Sequence, residues 1–412
     1  METTDKEIFT PLTTDKLIDI LGLSIKKDDI NKLVTFLSLL SAYTEDCQLN
    51  VSYNAPSSTG KSYIPLELSA LFPQEDLIKL GGASPTAFYH EQGIYDKTKN
   101  TITVDLERKI IIFLDQPGSG LLTKLRSLLS HDEKEISIKI TDKNQRGGNR
   151  TKTVIIRGYP AVIFCTAGLN IDEQEATRFI LLSPEISQEK ISQGIYERLR
   201  KAADTSFYKE HIEENEDRIQ LVKRIAVIKT AHIGEIRIAY AKLIDQMFRE
   251  RVSFFKPRHQ RDIARITNLV KIIALLNFWN KKQVDGTICA DKEDINEAFK
   301  IWDIIAESQD LGLPPYILNF YKQIILGLCN EKTSEADSGV KVGVTRNEIL
   351  QRHFEIYNTV LPDWKLRQDI LPMLETAGLI SQEIDPSVDK KKMLVFPILK
   401  VYPNVETNNR RF

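Results

Sequence analysis

The chain has 412 residues, 42% of them hydrophobic and 27% charged, which is a globular composition with room for two or three domains. Its formal net charge is −1, so any nucleic-acid binding must come from local basic patches and not from a global field. Cys47, Cys165, Cys289 and Cys329 are widely spaced, with no C-x-x-C and no nearby His pair. That argues against a zinc site or a disulfide framework and fits a reducing, cytoplasmic setting. The polar, acidic start METTDKEIF and the lack of a long apolar run predict neither a signal peptide nor a membrane span.

The segment 1–45 is predicted to be helical, with apolar residues at helical spacing in TTDKLIDILGL and KDDINKLVTFLSLLSAY. From Cys47 strands alternate with helices. QLNVSYN is a strand, a Ser/Gly loop follows, and KSYIPLELSALF continues as a helix. LIKLGGAS is a second strand, with a helix near PTAFYHE. RKIIIFLDQ is a continuous apolar strand, the signature of burial on both faces of a parallel sheet. The helix LLTKLRSLLS comes next, and then the β-hairpin EISIKITDKNQRGGNRTKTVIIRG, turning at Gly147-Gly148. PAVIFCTA and RFILLSP are two further buried strands, so 46–184 reads as an α/β core with a parallel sheet. After Pro184 the strands are expected to stop, and 185–330 reads as a charged helical domain in which IGEIRIAYAKLIDQMFRERV is one helix. A polar linker spans 331–343. In 344–412 the capping box Thr345-x-x-Glu348 opens RNEILQRHFEIY, WKLRQDILPMLETAGL follows, and LISQEID pairs with KKMLVFPIL, the outline of a winged helix.

The loop Ala55-Pro56-Ser57-Ser58-Thr59-Gly60-Lys61-Ser62 is one letter from the phosphate-binding pattern G-x-x-x-x-G-K-[ST], with Ala55 in place of the first glycine. Such a loop works because backbone N–H groups surround phosphates, the Lys adds charge and the Ser hydroxyl holds Mg²⁺. Asp115, at the end of a buried strand downstream, is where a second Mg²⁺ ligand belongs, and the reading requires ATP and Mg²⁺ as cofactors. Gln116 stands where a glutamate is usual; it can orient a water but not act as its base. Thr166 and Asn170 can either contact the γ-phosphate or its water, or only cap the strand end. Arg178 lies just before the last core strand, where it can reach a neighbouring subunit's nucleotide or serve in a surface ion pair.

Together, loop 55–62, Asp115, hairpin 136–157, strand 161–166 and Arg178 resemble the AAA+ module. The hairpin between the Asp strand and the CTA strand resembles the pre-sensor hairpin of minichromosome maintenance (MCM) and superfamily III helicases. RHQRDIARITNLVKIIALL resembles the MCM lid helix that carries a second sensor arginine, which implies that role for Arg261 or Arg265. The resemblance covers roughly 47–400 and implies a short MCM-like helicase of a mobile element or phage. The expected fold is therefore a P-loop AAA+ parallel-sheet core with a pre-sensor hairpin, an α-helical lid and a C-terminal winged helix. The first 45 residues are too few for the OB-fold N-domain of the full family.

The hairpin tip crowds Lys143, Arg146, Arg150 and Lys152 into one turn. In a hexameric ring such tips would line the pore and grip phosphates of single-stranded or duplex DNA. Lys365, Arg367, Lys390, Lys391 and Lys392 add positive charge to the winged helix, although Asp369, Glu375, Glu383 and Asp385 lie close by. The first functional reading is an ATP-driven DNA translocase or helicase in replication, with a primase, an initiator or another replication protein as the expected partner. Gln116 favours a second, an ATP-switched DNA-binding loader with little hydrolysis. A third is a signalling scaffold that uses its winged helix to bind protein.

Overall fold

The structure, a computed structural model, describes residues 9–84, 86–89, 93–115, 117–142, 150–168, 177–284, 287–335, 342–384 and 393–398. Residues up to Asp310 form one compact unit and those from Leu311 a second. Among the described residues no helix is long and apolar enough to cross a membrane.

The first unit is built on a five-stranded, all-parallel sheet in the order β2-β5-β8-β1-β9. These strands are β1 (Val51–Asn54), β2 (Leu77–Leu80), β5 (Ile110–Phe113), β8 (Ala161–Thr166) and β9 (Ile180–Leu182). β1, β5, β8 and β9 are buried along their whole length, as their unbroken apolar runs require. Alternate side chains feed two cores. Ile110, Ile112, Ile163 and Cys165 join a large cluster with α1 (Thr14–Leu21) and α2 (Asp29–Ser41). Ile111, Phe113, Val162 and Phe164 join a second cluster with α4 (Ser119–Leu129). The helix between β1 and β2 is α3 (Tyr63–Ser69). Hydroxyls fasten α2 to the sheet: Thr35 meets Tyr53 at 2.7 Å, and Ser38 donates to the Leu49 carbonyl at 2.5 Å.

Several expectations need correction. LIKLGGAS is a strand only to Leu80, and PTAFYHE holds a single helical turn, Ala87–Tyr89. A hairpin unforeseen in the sequence follows, β3 (Ile94–Asp96) and β4 (Thr101–Asp105). It joins the expected hairpin, β6 (Glu135–Asp142) and β7 (Arg150–Arg157), in a four-stranded sheet β3-β4-β7-β6, with β4 parallel to β7. Gly158 (φ +94) makes the corner from β7 to β8, where any Cβ would lie 2.3 Å from the Glu107 nitrogen.

Strands also continue past Pro184. After α5 (Gln188–Ala203), α6 (Thr205–Glu213) and α7 (Glu216–Ala231), β10 (Ile236–Ile238) pairs in parallel with β12 (Thr287–Ala290), itself antiparallel to β11 (Lys282–Val284). The stretch 233–252 is therefore strand and then helix, α8 (Ala241–Arg251), and not one helix. Its Ile-Arg-Ile alternation has period two, and a partner fifty residues away makes that period decisive. The helices α9 (His259–Leu276) and α10 (Lys292–Leu311) complete the packing.

In the second unit, Thr345 and Glu348 form the expected capping box of the helix Arg346–Tyr357. The stretch 363–376 is helical, widening to a π-turn over Leu366–Ile370 just before Pro372, which cannot donate an N–H to a regular turn. Strands β13 (Val344–Thr345), β14 (Ile380–Ile384) and β15 (Met393–Pro397) form a sheet in the order β13-β15-β14.

Candidate nucleotide site

The loop 55–62 leaves the C-terminal end of β1. The Ala55 nitrogen donates to the Thr166 carbonyl at 3.4 Å and the Ala55 methyl is fully buried. Its φ is negative, so the backbone here does not require the glycine of the usual pattern. The left-handed positions fall further on, at Ser58 (φ +65) and Gly60 (φ +94). At +94° a side chain is strained, and glycine stands there. The Lys61 ammonium donates back across the loop to the Pro56 carbonyl at 2.7 Å, and the Thr59 hydroxyl donates to the same carbonyl at 2.9 Å. Tyr63 and Ile64 donate their N–H groups to the Gly60 carbonyl, which starts α3 directly after Ser62.

The sheet order sets what faces the loop. β8 lies between β1 and β5, with Asn54 opposite Thr166 and Phe113 opposite Phe164. Asp115 follows two residues after that last pair, in the bend that leaves β5. Asn54, Thr166 and Asp115 thus form a row at the C-terminal ends of three neighbouring strands. Asp115 is exposed at the edge of this row, and Thr166 is buried, its hydroxyl accepting from the Gly168 nitrogen at 2.9 Å. Cys165 reports how tightly the groups converge. Its thiol donates to the Lys61 carbonyl at 3.3 Å. Its pKa is pushed up to about 11, by burial first, with the Asp115 charge adding to the rise and Ser62 and Lys61 opposing it. Gln116 and Asn170 lie outside the described residues.

The arginines sit elsewhere. β9 runs parallel to β1 with Ile180 opposite Val51, so Arg178 is level with Leu49, at the other end of the sheet from the loop. Six residue steps, those through β1 among them, separate Leu49 from Ala55, about 20 Å of extended chain. Arg178 lines a cleft of about 110 Å³ with Gln48, His131, Arg261, Arg265 and Asn268. Its Nε donates to Ser130 Oγ at 2.7 Å, and Arg261 donates to the Thr177 hydroxyl. Arg265 is buried and donates to the Thr177 and Phe179 carbonyls, each at 2.9 Å, and burial lowers its pKa to about 10. It therefore stays charged at neutral pH and ties α9 to the start of β9. Burial also holds His131 below the usual imidazole range.

Of the basic residues expected at DNA, Lys152 is half-buried on β7 opposite Ile140. Lys143 and Arg146 lie outside the described residues, as does the side chain of Arg150. In the second unit Arg367 is exposed and Lys365 half-exposed, beside an exposed Trp364 that the sequence reading passed over. Lys390, Lys391 and Lys392 lie outside the described residues. Sequence reasoning also missed Lys190, whose ammonium lies 3.4 Å from the Thr59 carbonyl; no local pattern links positions 131 residues apart.

No protein-family model matches the chain, and no curated protein matches it.

Proposed function

We propose that the protein is a ring-forming AAA+ ATPase of the MCM-like kind, a DNA translocase or helicase that acts in replication. The observation that carries this is the gathering of loop 55–62, Thr166 and Asp115 at one end of the parallel sheet, with Arg178 and Arg261 at the other. The site fits a nucleotide with Mg²⁺. Gly60 leaves open space where a Cβ would stand, apart from the Lys190 ammonium at 3.9 Å. Among the described residues the buried Asn54 Nδ2 at the head of the loop has no hydrogen-bond partner. Among the described residues no group of three or more His, Cys, Asp or Glu is placed to hold a metal. Mg²⁺ beside phosphates needs only one or two protein oxygens, because phosphate and water fill the remaining positions.

In this reading Lys61, which now donates to the Pro56 carbonyl, would turn to the β- and γ-phosphates, and Ser62 and Asp115 would hold Mg²⁺. Bound there, Mg²⁺ supplies neutralisation of the charge that develops on the transferred phosphoryl group. Thr166, between loop and Asp115, orients the γ-phosphate or its water. Arg178 and Arg261 are too far from their own loop to serve it. In a ring they would serve the nucleotide of the next subunit, so hydrolysis depends on assembly. The β6–β7 hairpin supplies the grip on DNA phosphates, and the helix–helix–hairpin unit after Gly343, read as a winged helix, adds a second DNA contact through Lys365 and Arg367.

Gln116 favours a second reading, an ATP-switched loader that binds DNA but turns over slowly. Measuring ATP hydrolysis with and without single-stranded DNA separates the two. A motor is stimulated by DNA, whereas a basal rate unmoved by saturating DNA supports the loader.

A further inference from the structure

We propose that Lys190 is a positioning residue of the phosphate loop, bracing the Thr59–Gly60 peptide from outside so that the Gly60 N–H faces the phosphates. This rests on the nucleotide reading above. Lys190 lies in the first turn of α5, where its own N–H bonds the capping Ser187 hydroxyl at 3.2 Å. Its ammonium donates to the Thr59 carbonyl at 3.4 Å and to the Glu185 carbonyl at 3.0 Å, and pairs with the Asp28 carboxylate. The two carbonyls accept hydrogen bonds, and the Asp28 carboxylate meets the ammonium as an ion pair. Held by these three groups, Lys190 acts through the loop and not on the nucleotide.

The geometry explains what the brace does. A trans peptide is planar, and its C=O and N–H point in opposite directions. Holding the Thr59 carbonyl toward Lys190 turns the Gly60 N–H away from Lys190. Glycine at φ +94 leaves this peptide easy to rotate, so an external hold has an effect here that it would lack at a stiffer residue. The hold is itself anchored. Asp28 is buried, and its Oδ1 accepts from Asn31 at 2.8 Å and from the Glu185 nitrogen at 2.7 Å, which leaves Oδ2 for Lys190. Asp28 occupies the left-handed region (φ +55), so the chain between α1 and α2 is shaped to present this carboxylate. The N-terminal helices are thereby tied to the loop through one ion pair.

Removing Lys190 alone would leave the buried Asp28 charge unpaired, which destabilises strongly. The informative variant is therefore Asp28→Asn/Lys190→Met, compared with Asp28→Asn, which keeps the ammonium. Fluorescent ADP and ATP analogues with Mg²⁺ are titrated into the full chain, and thermal melting is recorded for each variant. The double variant is expected to bind both nucleotides about tenfold more weakly, the scale of one lost hydrogen bond to a charged group. The two factors should be equal, because the loop N–H groups serve the α- and β-phosphates that ADP and ATP share. Asp28→Asn should melt at least as low as the double variant and yet keep most of the affinity. The proposal is overturned if the double variant binds like wild type, if only ATP binding falls, or if Asp28→Asn loses as much affinity as the double variant. If the wild-type chain binds neither nucleotide, the phosphate-loop reading itself has failed, and that is seen before any variant is compared.

Discussion

Arg178→Ala tests whether the proposed nucleotide site is shared between subunits of a ring. The guanidinium stands level with Leu49 on the strand next to β1, about 20 Å from the head of its own loop. Two unit charges at that distance in water interact by about 0.2 kcal/mol, and about two and a half Debye lengths of physiological salt screen away most of that. Within one subunit the substitution should therefore leave ATP affinity unchanged. The fold should survive as well, since the bond to Ser130 contributes only about 1 kcal/mol. Hydrolysis should nonetheless fall by roughly 10³–10⁵, the usual contribution of an arginine acting in trans. The assay is steady-state phosphate release from Arg178→Ala, from Lys61→Ala, and from an equimolar mixture. Each variant alone should be inactive. With random assembly about a quarter of the interfaces in the mixture pair an intact Lys61 with an intact Arg178, and activity should return toward that fraction. A mixture as inactive as its components would refute a shared site, and an Arg178→Ala protein that has lost ATP affinity would refute the placement of the arginine.

Three further outcomes are expected. Gln116→Glu should raise the hydrolysis rate by placing a carboxylate next to Asp115 in the chain, and an unchanged or lower rate in phosphate-release kinetics would assign the base elsewhere. Replacing Arg146, Arg150 and Lys152 with Ala should weaken single-stranded DNA binding and flatten the plot of log affinity against log salt by about 0.7 per lost phosphate contact. ATP binding should persist in that variant; a wild-type salt slope would remove the hairpin from the DNA interface. His353 is held below its ordinary pKa by burial, so between its folded and unfolded values the unfolded chain binds the extra proton. Its contribution is therefore present above about pH 6.5 and is lost as pH falls below it, so melting temperature should drop on acidification, and less in His353→Gln. An equal drop in both proteins would contradict this.

The parallel core was legible because IIIFL and AVIFC are apolar without a break, and runs this short, bounded by turn residues, fit strands buried on both faces. The loop was legible too, down to the tolerance of Ala55, since the glycine that geometry demands is Gly60. The β3–β4 hairpin escaped notice because its strands are short and only half-buried, and its pairing with β7 spans some fifty residues. β10 was hidden for a similar reason: Ile236 and Ile238 sit beside a run with helical spacing, and their partner lies beyond α9. The arginines could be placed before β9 and on α9 from sequence, but not at the end of the sheet opposite the loop. That needed the strand order. Lys190 carried no signal, because its role comes from Thr59 and Asp28, which only folding brings to it.

The most direct test of a nucleotide-binding loop at 55–62 is a calorimetric titration of ATP with Mg²⁺ into the wild-type chain and Lys61→Ala. In the proposed reading Lys61 supplies the charge that reaches the β- and γ-phosphates, so wild type should show saturable binding and Lys61→Ala should show none at the same concentrations, with its melting curve intact. Equal binding by the two proteins would contradict the account.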